Sequence, residues 1–515
     1  MFSRCVALAF ALSLLPIATQ SATVRPAGGS IDWPSYNNDV ASDRYVTIDQ
    51  INTANVSGLH VVCSAQLGPQ LTFQSGPIVV GGVLYATTSN QTFAINAATC
   101  STLWVNTYTL PKNVSHTNRG AAFAGGLLYR GFADGHVIAI NAASGATVWN
   151  QSVIAAGSLE FIAGAPIVWK RTVILGTGNG EYGQVCHVVA LDQTSGALLW
   201  SQQTVPNLGA PAAKTWKGAK HIAGGATWSS FSIDAATGKL YVPVGNPGPD
   251  YDIRKRIGTN LYTAAVLELD AATGTFVRAM QLVPEDYHDW DQAAAPAVVT
   301  LANGTKIALV AGKDGYLRSI ELTHVAQLWQ TPVTTIANAT APIVPAGTHF
   351  CPSGGVYWNG PAYSPATGLA YVNSVDWCKT VELEPKPVPF VQGQPWLGSS
   401  DGDGVKDTTR SGWLSAVDAT TGAVLWNYHA SLPLVAGVTP TSGGLVFTAD
   451  LAGNVLAFDA AAGTVLATVP TGLPVGGGVV SYEVSGTQYV AVAAGMSSAN
   501  FQTPNVNSSI VVLGL

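Results

Sequence analysis

One phrase recurs along the chain, and it limits the fold more than any other feature. It reads FAINAATCSTLW up to Trp104, IAINAASGATVW up to Trp149 and VALDQTSGALLW up to Trp200. It returns as LELDAATGTFV from Leu267, SAVDATTGAVLW up to Trp426 and LAFDAAAGTVLA from Leu456, with a degenerate copy, IELTHVAQLW, up to Trp329. Each copy holds an alternating strand, an Asp or Asn able to bond the turn that follows, a Gly where φ can be positive, and a second strand ending in a bulky apolar residue. That grammar specifies a β-hairpin. Ahead of most copies lies a second strand pair, such as GGLLYRGFADGHV (Gly125 to Val137) or GGLVFTADLAGNV (Gly443 to Val455). Together they make four-stranded units of roughly 45 to 60 residues, the size of a propeller blade. The expected fold is all-β, a propeller of roughly seven or eight four-stranded antiparallel blades whose recurrent tryptophans pack blade on blade.

The spacing of the copies is uneven. Asn96, Asn141 and Asp192 follow closely, whereas the stretches from Asp192 to Asp270 and from Asp270 to Asp418 must hold insertions or a further blade, one of them supplied by IELTHVAQLW. Loops of a propeller gather at its two ends, so chemistry is expected from scattered segments that break the repeat.

Composition narrows the partners. Against 29 Asp and Glu the chain carries 23 Lys and Arg, for a net charge of -6 in 515 residues, so nothing in it is built to track a phosphate backbone and no nucleic acid is expected. The N-terminus runs from Met1-Phe-Ser-Arg4 through the apolar CVALAFALSLLPIA to small and polar residues ending at Ala22. That is the pattern of a secretory signal over residues 1–22 and is shorter than the roughly 20 apolar residues of a membrane span. Residues 23–515 are then expected as one propeller domain without a membrane span, located in the periplasm or outside the cell. Of the cysteines left, Cys351 is expected to pair with Cys378 and Cys63 with Cys100, leaving Cys186 odd. CxxC and CxxCH are absent, so neither a zinc ribbon nor a c-type haem is encoded in these residues.

Several loops carry residues foreign to the repeat. TGNGEYG (Thr177 to Gly183) holds Glu181 among glycines; GGATW and VGNPGPDYD hold Trp228 and Asn246; AGKDGY holds Lys313; and NRG (Asn118 to Gly120) holds Arg119. The stretch PEDYHDWDQ, Pro284 to Gln292, puts four carboxylates and a histidine into nine residues of a chain that is 10% charged. Read one at a time, these are turn caps, hairpin tips and core aromatics. Read together, a Glu carboxylate, an Asn amide and an Asp carboxylate form an oxygen set for a hard cation, beside two cations and a flat aromatic.

On those residues the chain resembles the pyrroloquinoline quinone (PQQ)-dependent alcohol dehydrogenases, secreted quinoproteins with an eight-bladed propeller. The likeness runs from WPSYNNDVASDRYVTIDQINTANVSGL (Trp33 to Leu59) to VSYEVSGTQYVAVAAG (Val480 to Gly495), with GNPGP, HDWD and the 18-residue step from Trp228 to Asn246 as its specific marks. The resemblance implies PQQ and Ca²⁺ as cofactors. Glu181, Asn246 and Asp291 would hold the Ca²⁺, Trp228 would lie under the cofactor plane, and Arg119 would pair with a cofactor carboxylate. Lys313 would sit near the quinone carbonyls. Asp291 would be the general base that takes the hydroxyl proton of the alcohol while hydride passes to the quinone. Asp286 and Asp289 are left as loop or outer residues. Ala293 stands where lanthanide-type relatives carry a further Asp, which favours calcium.

The chain also departs from the family. Asn113 and Val114 stand where many relatives carry adjacent cysteines over the cofactor, Ala163 where a threonine bonds it, and Gly178 near a common serine. A separate electron acceptor, such as a small c-type cytochrome, is the implied partner. CPSGGVYWNG and SVDWC resemble pocket-side segments, with Trp358, Asn359 and Trp377 as candidates to line the pocket or to pack. Two other readings use the same framework, a non-catalytic propeller scaffold of the outer-membrane assembly type and a PQQ-dependent sugar dehydrogenase.

Overall fold

A computed structural model describes residues 30–69, 72–111, 114 and 117–515. The expected signal over residues 1–22 and the position of Asn113 lie outside these. Eight four-stranded antiparallel sheets follow one another around a ring. Blade 1 is built from Ile78–Val80, Val83–Thr87, Gln91–Asn96 and Thr102–Thr107. Blades 2 to 7 occupy residues 122–152, 167–203, 232–281, 297–332, 362–430 and 439–470. Blade 8 takes three strands from the C-terminal end, Val475–Val484, Thr487–Ala494 and Asn507–Gly514, and its outermost strand from the N-terminal segment His60–Pro69. A small three-stranded sheet, Thr348–Phe350, Lys379–Val381 and Val405–Lys406, projects from the insertions around blade 6. No helix among the described residues is long and apolar enough to cross a membrane.

The repeat grammar folds as its residue types dictate. Asn96 Oδ1 accepts the N–H groups of Ala98 and Thr99 at 3.0 Å each, and Asp192 Oδ1 those of Thr194 and Ser195 at 3.0 and 2.8 Å. In the degenerate copy the longer Glu321 does the same work, accepting from Thr323 and His324 at 2.7 Å. The turn glycine serves the neighbouring blade. Gly145, Gly196, Gly422 and Gly463 all have positive φ, and a Cβ on any of them would meet the tryptophan of the preceding blade. The same indoles donate across the interface, Trp104 Nε1 to the Ala142 carbonyl at 3.0 Å and Trp426 Nε1 to that of Ala460 at 3.1 Å.

Three interfaces depart from this docking, and in that between blades 7 and 8 the tryptophan position is Ala467. Between blades 4 and 5 the tryptophan position is Arg278, which donates to the Leu322 carbonyl at 3.1 Å and to Glu268 at 2.7 Å. There Val325, at φ 58°, replaces the glycine. At the seam where the ring closes, the glycine position is Cys100, disulfide-bonded to Cys63 on the N-terminal strand. The second expected disulfide, Cys351–Cys378, is also present, and Cys186 is free and buried. Apolar side chains of blades 8, 1 and 2, among them Val480, Ile95 and Leu128, form one continuous core across the seam.

Gly463→Ala tests this docking. Its Cβ would lie 2.5 Å from the Trp426 ring at a backbone φ of 73°. Strain and overpacking together are expected to cost about 1–3 kcal/mol, read as a lowered denaturant midpoint at unchanged m.

Candidate active site

In an up-and-down blade, the loop entering the innermost strand and the loop joining the second strand to the third emerge at the same end, while the repeat's Asx turns emerge at the other. Arg119, Trp228 and Asp291 precede blades 2, 4 and 5, and Glu181, Asn246 and Lys313 lie between second and third strands of blades 3, 4 and 5. All six therefore reach one end of the ring, where they line a single cavity that opens to solvent. Phe161, Ala163, Asn179, Tyr357 and Trp358 complete its walls.

Local sequence explains how each group is aimed. Asp286 accepts the N–H groups of His288 and Trp290 at 3.1 Å each, and Asp289 takes the left-handed conformation at φ 63°, which turns the HDWD loop inward. Asp291 then receives the Asn246 N–H on Oδ1 at 2.8 Å and the Trp228 indole N–H on Oδ2 at 3.2 Å. Gly245 leaves the room, since a Cβ there would collide with Asp291 Oδ1. Gly180 serves similarly, because a Cβ would lie 2.9 Å from Gly224 Cα and hold apart the loops that carry Glu181 and Trp228.

The electrostatics are those of an incomplete ion set. Lys313 Nζ lies 2.6 Å from Asp291 Oδ2 and 3.0 Å from Asp289 Oδ1. Burial works against its charge, but the two carboxylates hold the ammonium well above its ordinary pKa. Glu181 has a different balance. Its side chain faces the open cavity and is accessible there, yet loss of bulk hydration, with Asp289 and Asp291 nearby, pushes its carboxyl up to about 7 against the pull of Lys313. Asp250, four residues past Asn246, is buried and driven well above the carboxylate range by desolvation and the neighbouring acids. Arg119 lies 4.6 Å from the Trp228 ring centroid and 5.4 Å from that of Trp358. It makes no ion pair among the described residues, and burial pulls its pKa down to about 10.

A site with excess carboxylates on one side and a buried, unpaired guanidinium on the other suits a cation and a planar anion bound together. Comparison with known proteins agrees. The family described as "Glucose/ethanol/alcohol dehydrogenase, beta-propeller domain" matches residues 33–318, more than half of the chain. The quinohemoprotein alcohol dehydrogenase of Comamonas testosteroni is 30% identical, over 90% of this chain and 72% of that one. The chain belongs to the quinoprotein alcohol dehydrogenase family.

Members of this family use PQQ and a metal ion. The quinoprotein alcohol dehydrogenase PedH of Pseudomonas putida is 29% identical, over 89% of this chain and 85% of its own length. The crystal structure of the Comamonas testosteroni enzyme superposes with a TM-score of 0.85 at 26% identity, covering 94% of this chain and 80% of that one. A europium-containing methanol dehydrogenase shares the fold, with a TM-score of 0.84 at 24% identity over 94% of this chain and 98% of that one. Residues 410–503 also match the family described as "Outer membrane protein assembly factor BamB".

Against this quinoprotein frame the departures have visible counterparts. Ala163 is buried in the cavity wall, and its carbonyl accepts the Arg119 N–H at 2.9 Å. Gly178 lies under Phe161, whose ring would be 3.2 Å from a Cβ there. Val114 lines an outer cavity that shares Phe161, Asn179 and Glu181 with the inner one. Trp358 lines the site, whereas Asn359 is a buried hub that accepts from Tyr36 and Arg44 at 3.0 Å each. Trp377 packs against Phe501 and donates to the Asp407 carbonyl at 2.6 Å. Phe161, Asn179 and Tyr357 were not among the expected site residues, whereas Asp289, expected as a loop or outer residue, stands behind the site as a partner of Lys313. For Asp289 the signal was present, two residues before Asp291 in HDWD.

Proposed function

We propose that this chain oxidises an alcohol in the cavity bounded by Asp291, Glu181, Asn246, Lys313, Arg119 and Trp228, with PQQ and Ca²⁺ as its cofactors. The observation that carries this is the convergence of those six residues, from five separate loops and the segment that precedes blade 2, on one cavity. Glu181, Asn246 and Asp291 offer the oxygen ligands a Ca²⁺ ion prefers. Arg119 supplies a buried positive charge for a carboxylate, and Trp228, with Arg119 stacked beside it, supplies a flat apolar face. Bound there, PQQ supplies a two-electron acceptor for hydride, and Ca²⁺ supplies Lewis acidity at its carbonyl.

The chain's own residues handle the proton and the positioning. Asp291 takes the hydroxyl proton of the alcohol as general base. Its carboxylate is fixed from two directions, by the Asn246 N–H and the Trp228 indole, so little motion separates it from an alcohol held in the cavity. Lys313, bonded to both Asp289 and Asp291, stabilises negative charge beside the reacting atoms. Ala293 adds no further ligand, which fits a divalent ion. Residues 1–22 read as a leader that would direct the protein to the periplasm or outside the cell, with residues 23–515 as one propeller domain.

Primary and secondary alcohols, polyols and hydroxylated polymers are the substrates to try, with aldoses as the contrast. Dye-linked assay of protein reconstituted with PQQ and Ca²⁺ is expected to show turnover of alcohols and little of aldoses. Aldose turnover that exceeds every alcohol makes it a sugar dehydrogenase, and no turnover on either panel contradicts the enzyme reading. A scaffold gives no reason for a base, a cation set and a buried Arg to meet in one cavity.

A further inference from the structure

Outside the cavity, three loops meet on the surface beside the site. Lys217 N–H donates to the Ile257 carbonyl at 2.9 Å, tying residues 207–222 to residues 253–258. The His221 ring stacks on Phe390 at 4.0 Å, which ties the first loop to residues 389–396. Between them lies an open pocket lined by Lys220, His221, Lys255, Pro389, Phe390 and Trp396.

Two properties set this surface apart. The stretch from Leu208 to Ile222 holds three lysines and no acid in a chain whose net charge is -6. Lys214, Lys217 and Lys220 are exposed and Lys255 is half-buried, and none of the four makes an ion pair among the described residues. Large apolar side chains stand exposed in the same loops, Leu208 at 59%, Ile257 at 52% and Val391 at 53%. Apolar residues surrounded by unpaired lysines form the pattern of a transient protein interface steered by charge.

Its floor is the back of the active-site loop. Trp396 N–H donates to the Glu181 carbonyl at 2.6 Å, and His221 Nε2 lies 2.7 Å from the Gly183 carbonyl. Phe390 packs on Gly183 itself. The loop that turns Glu181 into the cavity thus turns its outer side to the lysine-rimmed pocket.

We propose that this surface docks a small electron-carrier protein with an acidic face. The inference rests on the alcohol-oxidation reading and adds to it the route by which electrons leave. Oxidation of an alcohol to a carbonyl releases two electrons and two protons. Two successive encounters with an oxidised one-electron carrier take the electrons one at a time, and the protons pass to solvent. The lysines set the encounter rate and the aromatic pocket sets the contact.

The test uses the triple variant Lys214→Glu/Lys217→Glu/Lys220→Glu, with a Lys→Gln triple as the milder form. Alcohol-reduced enzyme is mixed in stopped flow with a c-type cytochrome that is net negative at neutral pH, and separately with a small neutral dye. The native rate with the cytochrome is expected to fall as salt rises to about 0.2 M, where charges are screened beyond roughly 8 Å. The charge-reversed triple is expected to lose about 10- to 100-fold in that rate, together with most of its salt dependence, and the Lys→Gln triple less. Dye turnover stays at the native value. Cytochrome reduction at the native rate and with the native salt dependence overturns the proposal. Should the protein turn over no dye at all, the alcohol reading fails separately, and direct binding of the same cytochrome to native and triple-variant protein still decides the docking: binding lost in the variant supports it, equal or absent binding overturns it. Binding to anionic phosphatidylglycerol vesicles without binding of the cytochrome overturns it in favour of a membrane surface.

Discussion

Asp291→Asn is expected to lower alcohol turnover by roughly a thousandfold while leaving PQQ bound, because a positioned general base contributes about 10²–10⁴ to such a step. The substitution keeps the size of the side chain and one oxygen, which can still accept the Asn246 N–H now bonded at 2.8 Å. It removes the charge that faces Lys313 at 2.6 Å, and Asp289, at 3.0 Å, remains to hold that ammonium in place. Dye-linked turnover and a PQQ titration on the same preparation separate the two effects. A variant that binds PQQ and turns over normally would move the base elsewhere, with Glu181 the next carboxylate on the cavity wall.

Glu181→Ala is expected to weaken Ca²⁺-dependent PQQ binding by at least about 100-fold, since even outer-shell partners of a metal are worth 10–100-fold. The same change is expected to stabilise the metal-free fold. In the folded chain the Glu181 carboxyl is pushed up to about 7, from its ordinary 4.5, by loss of bulk hydration at the cavity wall and by Asp289 beside it. Between those values the folded state holds more protons than the unfolded one, so the native metal-free protein loses stability as pH rises through that window. The alanine variant lacks that loss. Thermal melts without Ca²⁺ should therefore place the variant above native at pH 7.5, with the gap closing below about pH 4.5. A gap that is absent, or that widens in acid, would show that the Glu181 carboxyl is not raised in the folded chain.

The blades were legible because each repeat copy carries its own turn chemistry. Asn96, Asp192 and Asp418 announce their hairpins through side-chain bonds to the next two N–H groups, which need no tertiary context. The variations were not legible, because their partners lie in other blades. Arg278 reads as an ordinary strand cation until it is seen donating to Leu322 of the next blade. Cys63 and Cys100 show that a pair exists, but only the ring shows that it staples the closing strand to blade 1. The candidate site was legible only from its residues together: singly Glu181, Asn246 and Asp291 read as turn residues, and jointly they are an oxygen set that the fold itself does not need. Phe161 and Tyr357 carried no such signal, because an aromatic in a propeller loop looks like packing until the cavity is formed.

Joint uptake of PQQ and Ca²⁺ by this cavity is tested most directly by an absorbance titration of the purified protein with PQQ, in the presence and absence of Ca²⁺. Saturable one-to-one binding that requires Ca²⁺ is the predicted result. No binding under either condition, or binding that is indifferent to Ca²⁺, would contradict joint uptake of the two.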